Sequence, residues 1–339
     1  MTRHLVRRSA VVLMTTVAAV ALVACGSDDA DGGSDGSPAP APATDGLTWD
    51  ARSTQESADD APFVPTLLPT SVAVGESRML FALIDRDAGT LLSNAIITAH
   101  YYRLAADPEV EPEVSEESET MEAHKRVLDL RGVSGEGSSP VNDADLTTVF
   151  STTPSFDTAG YWGVVLDIKV GDETYQPRMK FWVLEETPEV GIGEPAPRSE
   201  QLTLADVDDP ATVSSQVDPI EDMLDQTVAA ALETGKPVVV AFVTPTFCQT
   251  RFCGPVMESV VQPAWERYGD RVEFVHIEPY DLPKARQDAI LEPVPAVLEW
   301  GIRQEPFIFV IDEEGIVRAK LEGVTDLEEL SALIEEVLG

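Results

Sequence analysis

The chain has 339 residues, enough for two domains, and carries 60 Asp and Glu against 23 Lys and Arg, a formal net charge of −37. So negative a field makes nucleic acid and anionic lipid surfaces poor partners, and its simplest role is to keep the protein soluble.

The first segment is an address. Arg3, Arg7 and Arg8 form a positive start, and 10–24 is mostly apolar but shorter than the roughly 20 residues that a spanning helix needs. Leu22-Val23-Ala24-Cys25 resembles a bacterial lipobox. That resemblance implies a signal peptide over 1–24, a lipid on Cys25, and a protein anchored to the cell membrane on its extracytoplasmic face, where disulfides can form. Residues 25–61 are expected to be a disordered tether: 26–46 is built of Gly, Ser, Asp, Pro and Ala without apolar periodicity, and Ser37-Pro38-Ala39-Pro40-Ala41-Pro42 should be stiff and extended.

Residues 62–187 have the period-two pattern of strands. Ala95, Ile97, Ala99 and Tyr101 alternate with Ile96, Thr98, His100 and Tyr102; Trp162, Val164, Leu166, Ile168 and Val170 form one face of another strand. Turns are expected at Asp85-Arg86-Asp87-Ala88-Gly89 and at Gly171-Asp172, with 178–184 returning as a hairpin partner. The acidic stretch 107–122 reads as a solvated loop. His100 and His124 have no ligand-like neighbours and are read as surface or satisfied core residues. Short strands with regular turns, and Phe156-Asp157-Thr158-Ala159-Gly160-Tyr161-Trp162, resemble an immunoglobulin-like sandwich, with the role of a spacer or protein-interaction module.

Residues 188–217 are rich in breakers, notably Val190-Gly191-Ile192-Gly193-Glu194-Pro195-Ala196-Pro197, and read as a linker between two folding units. From 218 to 339 the pattern is mixed α/β. Asp218, Pro219 and Glu221 have the chemistry of a capped helix start, Leu224, Val228, Ala231 and Leu232 supply its stripe, and Gly235 ends it. The β-branched run 238–243 reads as a buried strand. After it come Cys248 and Cys253, then a helical pattern of Val256, Val260, Val261, Ala264, Trp265 and Tyr268, in which Pro263 predicts a kink. Strands follow at 271–278 and from Phe307. Glu313-Glu314-Gly315 turns the chain into a strand over 316–321. Thr325 and Glu328 are the expected caps of a last helix that buries Leu327, Leu330, Ile334 and Leu338.

This order, with two cysteines where a strand gives way to a helix, resembles the thioredoxin-like superfamily over roughly the last third of the chain. Cys253-Gly254-Pro255 is similar to the first three residues of that family's Cys-Gly-Pro-Cys, but Val256 stands in place of the second cysteine and the partner is upstream, at Cys248. The spacing is CxxxxC, and it differs equally from the CxxxC of Sco-type copper chaperones. Gly193-Glu194-Pro195-Ala196-Pro197 resembles the phrase that often precedes the redox domain in extracytoplasmic members. The resemblance implies a cis-proline at Pro306 facing the cysteines.

Three readings stay open for the pair. The first is a thiol–disulfide oxidoreductase without cofactor, acting on protein thiols or disulfides outside the cytoplasm. Cys248, Cys253 and Pro306 would carry it. Cys248 is expected to be the more accessible sulfur and Cys253, at the helix start, the more acidic one, with Arg251 favouring a thiolate. The second is a structural disulfide in a non-catalytic thioredoxin-fold binding module, although closing so short a ring contributes only about 2 kcal/mol. The third is Sco-like copper handling, for which His276 is the one histidine of the domain. A peroxiredoxin fits less well: Thr250-Arg251-Phe252-Cys253 supplies a Thr-x-x-Cys, but the proline expected upstream of it is misplaced.

Overall fold

The structure, a computed structural model, describes residues 47–50, 59, 61–68, 71–130 and 146–339. Cys25, the signal segment and most of the expected tether lie outside the described residues.

The N-terminal strands are β1 (Leu47–Trp49), β2 (Phe63–Leu67), β3 (Gly75–Glu76), β4 (Met79–Asp85), β5 (Ala95–Arg103), β6 (Glu113–Ser115), β7 (Glu117–Glu122), β8 (His124–Asp129), β9 (Leu146–Thr152), β10 (Ser155–Phe156), β11 (Gly160–Val170), β12 (Glu173–Tyr175) and β13 (Arg178–Val183). They build two main antiparallel sheets. One has the order β2-β4-β9-β8; in the other, β11 is flanked on one edge by β5 and β7 and on the other by β12 and β13. The alternation read from the sequence decides what lies between them. Ile97, Ala99, Tyr101, Trp162, Val164, Leu166 and Ile168 from one sheet meet Phe63, Met79, Phe81, Leu83 and Phe150 from the other in a shared apolar core. Gly163 faces outward against Trp49, where a Cβ would come within 2.4 Å of the indole ring.

Two expectations are corrected here. The acidic stretch 107–122 is not all loop: β6 and β7 lie in it, and β7 pairs with β5 while its outward side chains alternate with half-buried ones. His100 is not isolated either. It is 4% exposed, with Nδ1 against Glu117 Oε2 and Thr120 Oγ1 at 2.9 Å each, and Nε2 against Asp167 Oδ2 at 3.3 Å. Asp167 lies diagonally across from it on β11, where Val165 is the residue directly opposite, a contact that only long-range strand registration creates.

The C-terminal part is a four-stranded sheet of order β15-β14-β16-β17, with β14 (Val238–Phe242), β15 (Glu273–Ile277), β16 (Phe307–Ile311) and β17 (Val317–Glu322). β14 and β15 are parallel; β16 and β17 add antiparallel. Every residue of β14 and β16 is buried because both faces are covered, which is why these strands are continuous apolar runs, whereas the edge strand β17 alternates. Val239, Ala241, Ile308 and Val310 face the cysteine helix and the last helix, and Val238, Val240, Phe307, Phe309 and Ile311 face Val228, Ala231 and Trp300.

The helices are α1 (Val228–Ala231), α2 (Cys253–Val256), α3 (Gln262–Tyr268), α4 (Leu282–Asp288), α5 (Pro295–Glu299) and α6 (Leu327–Leu338). A π-helical turn, Met257–Val261, joins α2 to α3. Pro263 causes it: proline cannot donate to the preceding turn and its ring crowds it, so the run widens there. The first expected helix is much reduced. Asp218 and Pro219 cap nothing, Glu221–Met223 is a 3-10 turn, and α1 starts only after its cap Thr227. Gln201 holds it there, accepting from Val228 N–H at 3.1 Å and donating to Gln226 O at 3.1 Å. The cap of α6 is Asp326, which accepts from Glu329 N–H at 2.9 Å, in place of Thr325 and Glu328.

The stretch 188–217 runs along this sheet. Gly193 N–H donates to Val317 O, Ala196 N–H to Gly315 O and Val190 N–H to Trp300 O. The sandwich also touches the C-terminal sheet system: Leu80, Leu128 and Val149 join the cluster that holds Cys253, Val256 and Met257.

Candidate functional site

The sulfurs meet because the loop between them folds back. Arg251 has φ 74°, a left-handed conformation that costs a non-glycine residue about 1–3 kcal/mol and reverses the chain. Cys248 stays on the loop, half-buried; Cys253 becomes the first residue of α2 and is fully buried. The Cys253 N–H, an unpaired donor of the helix start, donates to Cys248 Sγ at 3.2 Å. The Thr250 hydroxyl lies 3.3 Å from the same sulfur and 3.0 Å from the Glu305 carbonyl.

These contacts separate the two thiols. The Cys248 pKa is lowered to about 5, chiefly by the hydrogen bond from the Cys253 thiol, with Thr250 and the Cys253 N–H adding to it against the cost of burial. Burial pushes the Cys253 thiol up, and the nearby Cys248 sulfur pushes it further. The sequence reading had the acidity the other way round. The helix start does favour a thiolate, but its N–H points at the cysteine five residues upstream, and Cys253 itself is desolvated. The leading stabilising contributions to Cys248 are hydrogen bonds, not a charge from Arg251.

The Glu305–Pro306 peptide is cis, and Pro306 leads directly into β16. Glu305 is the residue that sequence reasoning missed. It is 3% exposed, and its carboxylate oxygen and both sulfurs lie within 4.8 Å of one another. Gln249 N–H donates to Oε1 at 2.8 Å and the Tyr280 hydroxyl to Oε2 at 3.0 Å; Gln249 Nε2 donates to the Tyr280 oxygen at 2.6 Å. Burial raises the Glu305 pKa, with a further push from the Cys248 charge, and burial pushes Tyr280 up to about 12. The sequence held one signal for Glu305, a carboxylate immediately before Pro306 and a wholly apolar strand. It held none for Tyr280, which reaches the site from the turn before α4.

His276 is not part of this group. It is 3% exposed on β15, and its Nε2 meets Val243 O at 2.8 Å. Among the described residues, the only His, Cys, Asp or Glu group with ligand-like spacing is Cys248, Cys253 and Glu305.

No family model matches the chain, and no curated protein matches it. Among solved structures, the chain is similar to a protein disulfide isomerase-type protein from Bacteroides thetaiotaomicron, at 19% identity and a TM-score of 0.28 over 44% of this chain and 89% of that one. A thioredoxin-like superfamily protein matches at 19% identity and a TM-score of 0.25, over 38% of this chain and 96% of its own. A thiol:disulfide interchange protein of the thioredoxin family from Chlorobium tepidum matches at 18% identity and a TM-score of 0.24, over 39% of this chain and all of its own. At such scores these likenesses add nothing to the geometry above.

Proposed function

We propose that the protein is a thioredoxin-like thiol–disulfide oxidoreductase, held by a lipid on Cys25 at the extracytoplasmic face of the membrane, with an immunoglobulin-like sandwich beside its redox domain. The observation that carries the redox reading is the split between a half-exposed Cys248 of low pKa and a buried Cys253 of high pKa. The first is built to attack and the second to resolve. Cys248 Sγ attacks one sulfur of a substrate disulfide; the other leaves as a thiolate and takes up a proton. The new mixed disulfide removes the negative charge at Cys248, so the Cys253 thiol becomes easier to ionise. Cys253 passes its proton to Glu305 and attacks Cys248 Sγ, which releases the second substrate sulfur. The substrate gains two electrons and the Cys248–Cys253 pair becomes a disulfide; the reverse sequence oxidises a dithiol substrate. Glu305, joined by a cis bond to Pro306, borders the sulfurs where a substrate chain would lie.

The test is a trapping experiment in the membrane fraction. Cys253→Ser should accumulate mixed disulfides with partner proteins, and Cys248→Ser should accumulate none. Failure of both the wild-type protein and Cys253→Ser to exchange with any protein disulfide overturns the reading. The triad of two sulfurs and a carboxylate favours one second reading, a thiophilic metal ion bound by Cys248, Cys253 and Glu305. Stoichiometric Cu(I) or Zn(II) retained by the reduced protein and lost in Glu305→Gln, without thiol exchange, would establish it instead.

A further inference from the structure

A cavity of about 480 Å³ borders the redox network, with Tyr280 in its wall. Its size is that of a small-ligand site. Five carboxylates line it, those of Glu200, Glu278, Asp281, Glu292 and Glu299, and no Lys or Arg does. Neighbouring groups account for only part of that charge. Lys284 pairs with Asp281 at 3.4 Å and Glu292 at 2.8 Å. The Ser199 hydroxyl donates to Glu299, and the guanidinium of Arg286 is turned onto the carbonyls of Ala211 and Ser214. Glu278 is different. It is 5% exposed; Oε1 accepts from Ser215 N–H at 2.6 Å, and Oε2 has no partner. A carboxylate at that depth is costly unless a cation or donor completes it. Val213, Leu282 and Val294 supply apolar wall beside it. A positive head on an aliphatic stem fits both kinds of surface.

We propose that this cavity is a subsite for a lysine or arginine side chain of the polypeptide substrate, with Glu278 as the buried counter-charge. The word substrate rests on the redox reading; the binding itself does not. A polypeptide is favoured over a free amine because the cavity and the sulfurs share a wall: Tyr280 lines the one and donates to Glu305 beside the other. An extended chain advances about 3.3 Å per residue, so a basic residue a few positions from the reacting cysteine comes to the cavity. The chain's net charge of −37 draws basic polypeptides toward it from solution.

Two arms test this on the full, reduced protein. In the first, cysteine-free pentapeptides with a central Lys, Arg, norleucine or Glu are titrated against the protein and followed by backbone amide shifts. Lys and Arg peptides should move the amides of Ser215, Glu278 and Leu282; norleucine and Glu peptides should not. Glu278→Gln, which keeps the acceptor for Ser215, should weaken Lys binding about tenfold. Glu200→Lys, at an exposed position, should also weaken it and serves if the buried substitution fails to fold. In the second arm, glutathionylated cysteine peptides with or without a nearby Lys are substrates, and the Lys peptide should show a lower KM at unchanged kcat, an advantage lost in Glu278→Gln. Equal binding of all four peptides, a Lys preference unchanged in both variants, or spermidine binding as tightly as the Lys peptide would each overturn the proposal. Selective Lys binding without any exchange would leave the subsite standing and remove the redox reading; exchange without basic preference would do the opposite.

Discussion

Two thiols five residues apart differ because one is desolvated and the other collects its donors. With the Cys248 pKa at about 5, iodoacetamide should label the reduced protein at Cys248 with a pH midpoint near that value, while Cys253 stays unlabelled until the protein unfolds. Folding lowers the Cys248 pKa, so the contribution of that thiol is complete above the ordinary thiol range and is lost as pH falls through about 5, whereas the raised Cys253 pKa costs stability as pH rises past that range. A stabilised reduced form also makes the disulfide the more oxidising, so Thr250→Val, which deletes one donor, should raise the pKa and make the pair harder to reduce. Glu305→Gln keeps one acceptor, for Gln249 N–H, while its NH2 faces the Tyr280 oxygen as a donor, and it cannot take a proton. Mixed disulfides at Cys248 should then persist, with resolution slowed on the order of a hundredfold, the scale of a lost general base, and the first attack little changed. Quenched-flow trapping of the mixed disulfide separates the two steps. In the sandwich, His100 runs the opposite way to Cys248: its hydrogen bond to Asp167 raises its pKa against the cost of burial, so its contribution is complete below its ordinary value and is lost as pH rises through the raised one.

At the scale of elements, what the sequence makes legible is what local period and local chemistry determine. The strands β5, β11, β14 and β16, the turn at Asp85 to Gly89 and the cysteine helix all follow from runs of a few residues, whereas the cis Glu305–Pro306 bond is expected only from the family resemblance. What stays hidden depends on partners far along the chain. Gln201 sets the start of α1, Asp167 gives His100 its counter-charge, and Tyr280 completes the Glu305 pocket; none has a neighbour in sequence that announces it. The cap of α6 moved by one residue for a similar reason. Asp326 is held by Arg126 as well as by its own helix, and Thr325 is turned onto the Glu329 carboxylate. Gly301, in the turn that follows α5, is a second hidden constraint. Its φ is +67°, and a Cβ there would lie 1.9 Å from the Pro188 carbonyl oxygen. Since that neighbour is backbone, Gly301→Ala should cost more than the ~1 kcal/mol of an ordinary left-handed glycine and should shift the urea midpoint downward.

At the scale of the whole molecule, the sandwich and the C-terminal sheet are joined by a buried ion cluster as well as by Leu80, Leu128 and Val149. Arg78 on the sandwich side forms two hydrogen bonds to Glu329, at 2.8 and 2.7 Å, and two more to the carbonyls of Glu322 and Val324, at 3.0 and 2.7 Å. Arg126 adds longer contacts, 3.6 Å each, to Asp326 and Glu329. Burial alone would raise the Glu329 pKa, but the Arg78 charge and hydrogen bonds, with Arg126 behind them, outweigh it and hold the carboxyl below its usual range. Arg78→Ala would leave the Glu329 carboxylate, on a residue that is 7% exposed, without its main counter-charge and take the guanidinium away from the carbonyls of Glu322 and Val324. Removing one member of such a pair typically costs about 3–5 kcal/mol, so the variant should unfold at markedly lower urea and expose the segment 188–217 to protease. Glu329→Gln should cost less, because the amide still accepts from Arg78 and leaves its charge among carbonyl dipoles. The pH sign is that of a depressed carboxylate: the cluster stabilises fully above the unfolded value of about 4.3 and is lost as pH falls through the lower folded one. Wild-type protein should therefore lose stability on acidification through that window. Arg78→Ala should lose less there, since its Glu329 keeps only Thr325 and the longer Arg126 contact to forfeit, and parallel acid titrations of the two proteins would refute the coupling.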